Sequence, residues 1–237
     1  KRGVPAIITR QPDDAMKVIE ARAEKLGAPM LVQGQHWDAW EERGRLIYQD
    51  ETGLLDLPPP ALMGAHQFQN AGTAITALRH FGFGEDAFEA VPTNVTWAAR
   101  MQKLSHGPLI DLGPQAEFWL DGGHNAACAA TLAETLTRLP KRPTHLICGM
   151  LNTKDISGYL EPLVPYIASL TAVSIPDEVN TLPAPVTAKA ARDAGMDAGE
   201  ADSVRSAVED IIRKQADARI LICGSLYLAG AILRENG

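Results

Sequence analysis

The sequence predicts an α/β protein whose second half is a doubly wound, parallel sheet. Three observations predict it. From residue 117 onward, short apolar runs alternate with amphipathic stretches of helical period, the pattern of βα units. The run Leu-Ile-Cys-Gly occurs twice, at 146–149 and 221–224, each an apolar strand stopped by glycine before a helix. Glycine-containing polar loops follow three of the strands, at 121–125, 149–155 and 224–227, where parallel sheets place their ligands.

The elements are justified in order. Val4–Thr9 reads as a strand. Pro12-Asp13-Asp14 starts a helix with acids in its first turn, Met16, Ile19, Ala23 and Leu26 recur at helical spacing, and Gly27 stops it. Pro29–Gln33 is a second strand. Arg45–Gln49 and Gly53–Leu57 form a hairpin around Asp50-Glu51-Thr52, ended by three prolines. Ala65–Phe81 is helical, with Ala71, Ala74, Ile75 and Leu78 on one face. Residues 82–105 read as a connector with one or two short helices, and a domain boundary is expected near residue 103. Beyond it come a strand at Glu117–Leu120, a helix at Asn125–Leu139, a strand at Thr144–Cys148 and a helix at Asp155–Tyr166. A strand at Ser169–Ser174, helices at Pro185–Ala194 and Ser203–Gln215, a strand at Arg219–Cys223 and a helix at Leu226–Arg234 complete the pattern.

Composition narrows the function classes. The 237 residues are 46% hydrophobic and carry a net charge of −7, enough for a core and without the basic patch that binds nucleic acid. Three cysteines without C-x-x-C spacing predict neither a disulfide framework nor a zinc site, and fit a reduced, cytoplasmic compartment. No apolar run is long enough to span a membrane. Lys1-Arg2-Gly3 carries no initiator Met and leads straight into a strand, which reads as a cut end.

Topology brings Asp121, His124, Lys154, Asp155 and Ser225 to one edge of one sheet. An acid, an imidazole, an amine and a hydroxyl beside helix N-termini suit a polar, anionic ligand. Each also has a plain structural reading: Asp121 and Asp155 as helix-start acids, His124 as a turn residue, Ser225 as a helix cap, Lys154 as a solvated charge. Their coincidence on one edge favours a site. The sequence has neither G-x-x-x-x-G-K-[ST] nor a G-x-G-x-x-G after a strand, which argues against a dinucleotide-dependent oxidoreductase.

Six segments in order carry a resemblance. Gly64–Ala71 resembles the G-x-H-Q-x-x-N-A helix of the folate branch of the Mur ligase superfamily. Lys1–Pro5 is similar to the segment after that family's modified lysine, and Trp97–Gln102 resembles its W-P-G-R-M/L-Q linker. Leu120–Asn125 resembles L-D-G-A-H-N, Gly149–Asp155 resembles G-x-x-x-x-K-D, and Gly224–Gly230 resembles G-S-L-Y-L-x-G. Ala98 and Ala99 depart from the linker's Pro-Gly, Gly123 from an Ala and Ala126 from a Pro; none of these removes a polar side chain.

The resemblance, to dihydrofolate synthase/folylpolyglutamate synthase, implies that residues 1–102 are the back half of a Mur-type ATPase domain plus linker. Residues 103–237 would be a Rossmann-like C-terminal domain. It implies an ATP-dependent ligase joining L-glutamate to dihydropteroate or a reduced folate through an acyl phosphate. The P-loop, the Mg²⁺ ligands and the modified lysine would lie upstream, leaving this chain catalytically incomplete and without metal ligands of its own. A monomer is expected. By resemblance, Asn70 would contact adenine, Arg100 the nucleotide phosphates, and Asp121 the ribose or the closed site. His124 and Ser225 would hold glutamate, with Lys154 beside them; His66 would line the nucleotide pocket or cap its helix. Asp121 and His124 are the catalytic candidates. Two alternatives remain: a Mur-type amino-acid ligase acting on a peptidoglycan precursor, and a non-catalytic nucleotide- or amino-acid-binding module.

Overall fold

The computed structural model describes residues 1–236 and divides into two compact units, Lys1–Thr96 and Trp97–Gly237. The division falls before the boundary expected at 103, so the Trp97–Gln102 segment packs with the second unit.

In the first unit, β1 (Ala6–Ile8) and β2 (Met30–Val32) pair in parallel across α1 (Asp13–Leu26). Gly27 ends α1 in the left-handed conformation at φ 58°, as the sequence predicts. A three-stranded antiparallel sheet follows: β3 (Trp37–Glu42), β4 (Arg45–Asp50) and β5 (Gly53–Leu57). Strand β3 extends the expected hairpin. Arg43 and Gly44 both have positive φ, 52° and 76°, which makes the tight turn into β4. Helices α2 (His66–His80) and α3 (Glu85–Asn94) complete the unit. Phe68, Ala71 and Ile75 of α2 and Phe88 of α3 pack with Trp37, Ala39, Leu46, Tyr48 and Leu57. Gly72 lets α2 approach the sheet closely, since a Cβ there would lie 2.4 Å from the Ala39 Cβ.

The second unit is a six-stranded sheet. Its strands are β6 (Gln102–Leu104), β7 (Glu117–Leu120), β8 (Thr144–Cys148), β9 (Ser169–Ala172), β10 (Ala198–Glu200) and β11 (Arg219–Cys223). The order is β10-β9-β8-β11-β7-β6, parallel except for the β6 edge. Its helices are α4 (Ala126–Arg138), α5 (Ile156–Leu160), α6 (Ala184–Asp193), α7 (Val204–Lys214) and α8 (Leu226–Asn236). The central strands are apolar over their later positions, Phe118–Leu120, Leu146–Cys148 and Ile220–Cys223, because both faces are covered. Phe118, Leu120, Ile147, Ile220 and Ile222 meet Val208 and Ile211 of α7 and Leu228 and Ile232 of α8. Alternation along β11 turns Leu221 and Cys223 to the opposite face.

The two Leu-Ile-Cys-Gly runs lie side by side in register, Leu221 opposite Leu146 and Cys223 opposite Cys148. Three details differ from the sequence expectation. The helix expected over 155–166 is α-helical only to Leu160 and a 3₁₀-helix over Glu161–Tyr166, because Pro162 and Pro165 remove amide donors. The strand expected to Ser174 ends at Ala172. Edge strands β6 and β10, three residues each, were not foreseen, being too short to show a period.

Candidate functional site

The strand order settles which loops meet. With β11 between β7 and β8, the loops at 121–125, 149–155 and 224–227 leave three neighbouring carboxyl ends. The crossing of β11 between two earlier strands makes this edge a topological switch point, where open parallel sheets form a crevice. Gly224, at φ 103°, allows the closest approach, because a Cβ there would sit 2.8 Å from the Gly149 carbonyl oxygen.

Several candidates hold this edge together. Ser225 is 3% exposed. Its Oγ accepts the Tyr227 N–H at 3.0 Å and its carbonyl accepts the Ala229 N–H, so it caps α8. Asp155 caps α5 by accepting the Gly158 N–H, and Asn125 caps α4 by accepting the Cys128 N–H. His124 is half-buried, and its Nδ1 lies 2.9 Å from the Gly122 carbonyl oxygen. A carbonyl only accepts, so Nδ1 donates and Nε2 is the nitrogen left for another partner. Lys154 is half-buried in the β8–α5 loop.

Asp121 ties two segments. Its Oδ1 accepts the Gly123 N–H at 2.8 Å and its Oδ2 accepts the Met101 N–H at 2.9 Å. The turn it holds is unusual. Ala99 and Met101 have left-handed backbones, φ 54° and 41°, and their side chains are 7% and 6% exposed. Arg100 between them is exposed. Ala99 donates its N–H to Gln102 Oε1 at 2.9 Å and accepts the Gly122 N–H at 2.8 Å. Met101 and Ala99 are thus the apolar anchors on either side of the arginine, while Trp97 is 63% exposed.

In the first unit, the Gly64–Ala71 motif forms a hydrogen-bonded chain. Asn70 donates Nδ2–H to Gln67 Oε1 at 3.0 Å, and Gln67 Nε2 lies 2.8 Å from His66 Nε2. With its oxygen engaged by Asn70, buried Gln67 donates to the imidazole, which assigns a neutral His66 its proton on Nδ1. Asn70 itself is exposed at the helix surface.

Sequence reasoning did not single out a second polar cleft in this unit, about 620 Å³, walled by residues including His36, Asp38, Asp50, Thr76, Arg79 and His80. Asp50 organises it, accepting from Tyr48 Oη, Thr52 and Arg79. Burial would raise the Asp50 carboxyl, but the hydrogen bonds from Thr52, Arg79 and Tyr48 outweigh it and hold it below the usual range. Burial pushes the Tyr48 phenol up to about 12. The only hint in the sequence was Asp50 at a hairpin turn, and its distant partner Arg79 has no local signature.

All three cysteines are free thiols. The hydrogen bond between the Cys148 and Cys223 thiols, with burial, pushes Cys148 well up. Both are buried neighbours of Tyr159. Among the described residues, no group of three or more His, Cys, Asp or Glu could hold a metal ion, and no helix is long and apolar enough to cross a membrane.

The family described as "Dihydrofolate synthetase, C-terminal domain" matches residues 110–235. The chain is 28% identical to the folylpolyglutamate synthase of Lacticaseibacillus casei over 98% of its own length and 54% of that protein's. Its fold is similar to that of Mycobacterium tuberculosis folylpolyglutamate synthase complexed with ADP and AMPPCP, with a TM-score of 0.82 and 24% identity over 97% of this chain and 54% of that one. It is also similar to E. coli FolC in complex with DHPP and ADP, with a TM-score of 0.81 and 24% identity over 99% and 53%. The chain spans about half the length of each of these relatives.

Proposed function

The chain belongs to the dihydrofolate synthase/folylpolyglutamate synthase family, and on that premise we propose that it supplies the nucleotide-closing and glutamate-holding part of an ATP-dependent carboxylate–amine ligase. In this reading the first unit is the back half of a Mur-type ATPase domain. The second is the Rossmann-like C-terminal domain. The complete ligase is this chain together with residues bearing a phosphate loop and Mg²⁺ ligands, since the 237 residues contain no G-x-x-x-x-G-K-[ST]. By itself the chain binds and positions without ligating.

The chemistry assigned to the complete ligase has two steps. The carboxylate of dihydropteroate or a reduced folate attacks the γ-phosphorus of ATP, releasing ADP and forming an acyl phosphate. The amine of L-glutamate then attacks the acyl carbon. The C–O bond to phosphate breaks and the nitrogen loses a proton, leaving an amide. Such a site acts chiefly by positioning and charge stabilisation. Arg100 would present its forked donors to phosphate oxygens. Asp121 would meet the ribose or organise the closed site. His124 Nε2 would bond the incoming glutamate, with Lys154 offering charge at the same edge and Ser225 fixing the α8 end. Asn70 would contact adenine. The folate branch is favoured over a peptidoglycan ligase by the family match itself.

The observation that carries this reading is the exposed Arg100 held on a rigid turn beside three glycine-containing strand ends. Steady-state kinetics of the complete ligase test it. Arg100→Ala lowers kcat by roughly a hundred-fold with an unchanged melting temperature, and Arg100→Lys recovers little. A near-normal kcat and ATP KM in Arg100→Ala would make the arginine an ordinary surface charge.

A further inference from the structure

We propose that Gln102 is a positioning residue for Arg100, setting the direction of its guanidinium by locking a left-handed turn that Asp121 also holds, rather than by touching any ligand. The proposal rests on the nucleotide role given to Arg100 above and extends it to a residue with no such role.

The geometry runs from the backbone outward. The two non-glycine residues that flank Arg100, Ala99 and Met101, adopt positive φ. Such conformations persist in L-residues only where the surroundings over-determine them. Three contacts do so here, all within the second unit. Gln102 Oε1 takes the Ala99 N–H, Asp121 Oδ2 takes the Met101 N–H, and the Ala99 carbonyl takes the Gly122 N–H. Gln102 is itself fixed, because it is the first residue of β6 and lies opposite Leu120, the residue before Asp121. The turn is therefore stapled to Asp121 and Gly122, the two residues that follow β7, and to Leu120 through Gln102. Ala99 and Met101 are buried, so of these three residues Arg100 alone faces solvent.

A long, flexible arginine loses much rotamer freedom on binding. A turn that fixes its Cα and Cβ limits that loss to the side chain alone. A shift of about 1 Å at a positioned group can cost on the order of a hundred-fold in rate. Gln102 separates the positioning role from any direct contact better than Asp121, because the acid is also assigned a ribose contact.

The experiment is a double-mutant cycle in the complete ligase, with thermal melts as the folding control. Gln102→Leu removes the acceptor for the Ala99 N–H and is expected to lower kcat by about ten-fold, with the KM for the folate-type substrate little changed. Gln102→Glu keeps an acceptor oxygen and is expected to recover most of that loss. In the Arg100→Ala background, Gln102→Leu is expected to add nothing. The proposal is overturned if Gln102→Leu keeps wild-type kcat while Arg100→Ala is impaired. It is also overturned if Gln102→Glu is as impaired as Gln102→Leu, or if the two losses multiply. If Gln102→Leu melts early, Gln102→Glu decides by the same kcat comparison. A normal kcat in Arg100→Ala alone overturns the nucleotide reading instead, so the two failures are told apart.

Discussion

The Gly122 N–H is donated to the Ala99 carbonyl oxygen at 2.8 Å, and Ala99 accepts it from a backbone at φ 54°. A left-handed conformation costs an L-residue roughly 1–2 kcal/mol that glycine does not incur. Glycine's larger unfolded-state entropy offsets part of this. The resembling family linker carries glycine at this position, and the structure supplies the reason.

Ala99→Gly is accordingly expected to stabilise the chain by about 0.5–1 kcal/mol. Ala99→Val, β-branched at positive φ, is expected to destabilise it. Urea denaturation of the three proteins checks this. A loss of stability in Ala99→Gly would contradict the left-handed assignment.

Asn236 closes the second unit. Its Oδ1 accepts the Leu109 N–H at 2.9 Å, and its Nδ2–H is donated to the His106 carbonyl at 2.7 Å. Asn236→Ala would leave a buried donor and acceptor unmatched, at a cost of about 1–3 kcal/mol. Gly107→Ala should also be poorly tolerated. Gly107 sits at φ 106°, and a Cβ there would lie 2.2 Å from the Asn236 carbonyl oxygen. Melting temperatures of both variants are the measurement, and an unchanged Asn236→Ala would show that α8 is not tied down by this side chain.

Arg219, almost fully buried, donates Nε–H to Glu117 Oε2 at 2.9 Å and a second bond to the Pro140 carbonyl. Burial would raise the Glu117 carboxyl, but the hydrogen bond and charge of Arg219, helped by Arg142, outweigh it and hold it below its ordinary value. A lowered folded-state pKa means that the unfolded chain takes up the proton first as pH falls. The stabilisation is thus fully present above the ordinary glutamate pKa of about 4.3 and is lost as pH drops towards the folded value. Glu117→Gln should cost about 3 kcal/mol or somewhat less near pH 7, because Arg219 remains buried and Glu117 is only partly so. It should also flatten the acid limb of the stability–pH curve. Equilibrium unfolding between pH 3 and 7 (roughly the carboxylate range) measures both. A parallel offset at every pH would remove the titration argument.

In the complete ligase, His124→Ala is expected to raise the glutamate KM by about ten- to a hundred-fold with little change in the ATP KM. Ser225→Ala tests a different balance, because Ser225 is buried as the α8 cap. It should lose about 1 kcal/mol of stability, and any change in glutamate KM should come with that loss. Equal effects of His124→Ala on both substrates would reduce His124 to a turn former held by Gly122.

Local pattern alone specified much of this protein. Period-2 and period-3.6 apolar spacing, glycine at strand ends and acids at helix starts gave the βα alternation from Glu117 to Arg234. The ordered motifs gave the family, and the polar loops around Asp121, His124, Lys154 and Ser225 were legible for the same reason, since a strand-to-helix turn is encoded within a few residues. Strand β3 has only a weak local signature, since Trp37 and Ala39 alternate inward but Trp40 interrupts the apolar/polar alternation before the Arg43-Gly44 turn. Tertiary structure alone decided the rest. It placed β11 between β7 and β8, set Cys223 beside Cys148, and joined Asp121 to Met101 and Asp50 to Arg79. It also made Ala99 left-handed and buried Ser225. These depend on which strands pair and at what register, and a hydrogen bond between residues twenty or more apart leaves no periodic trace in either segment.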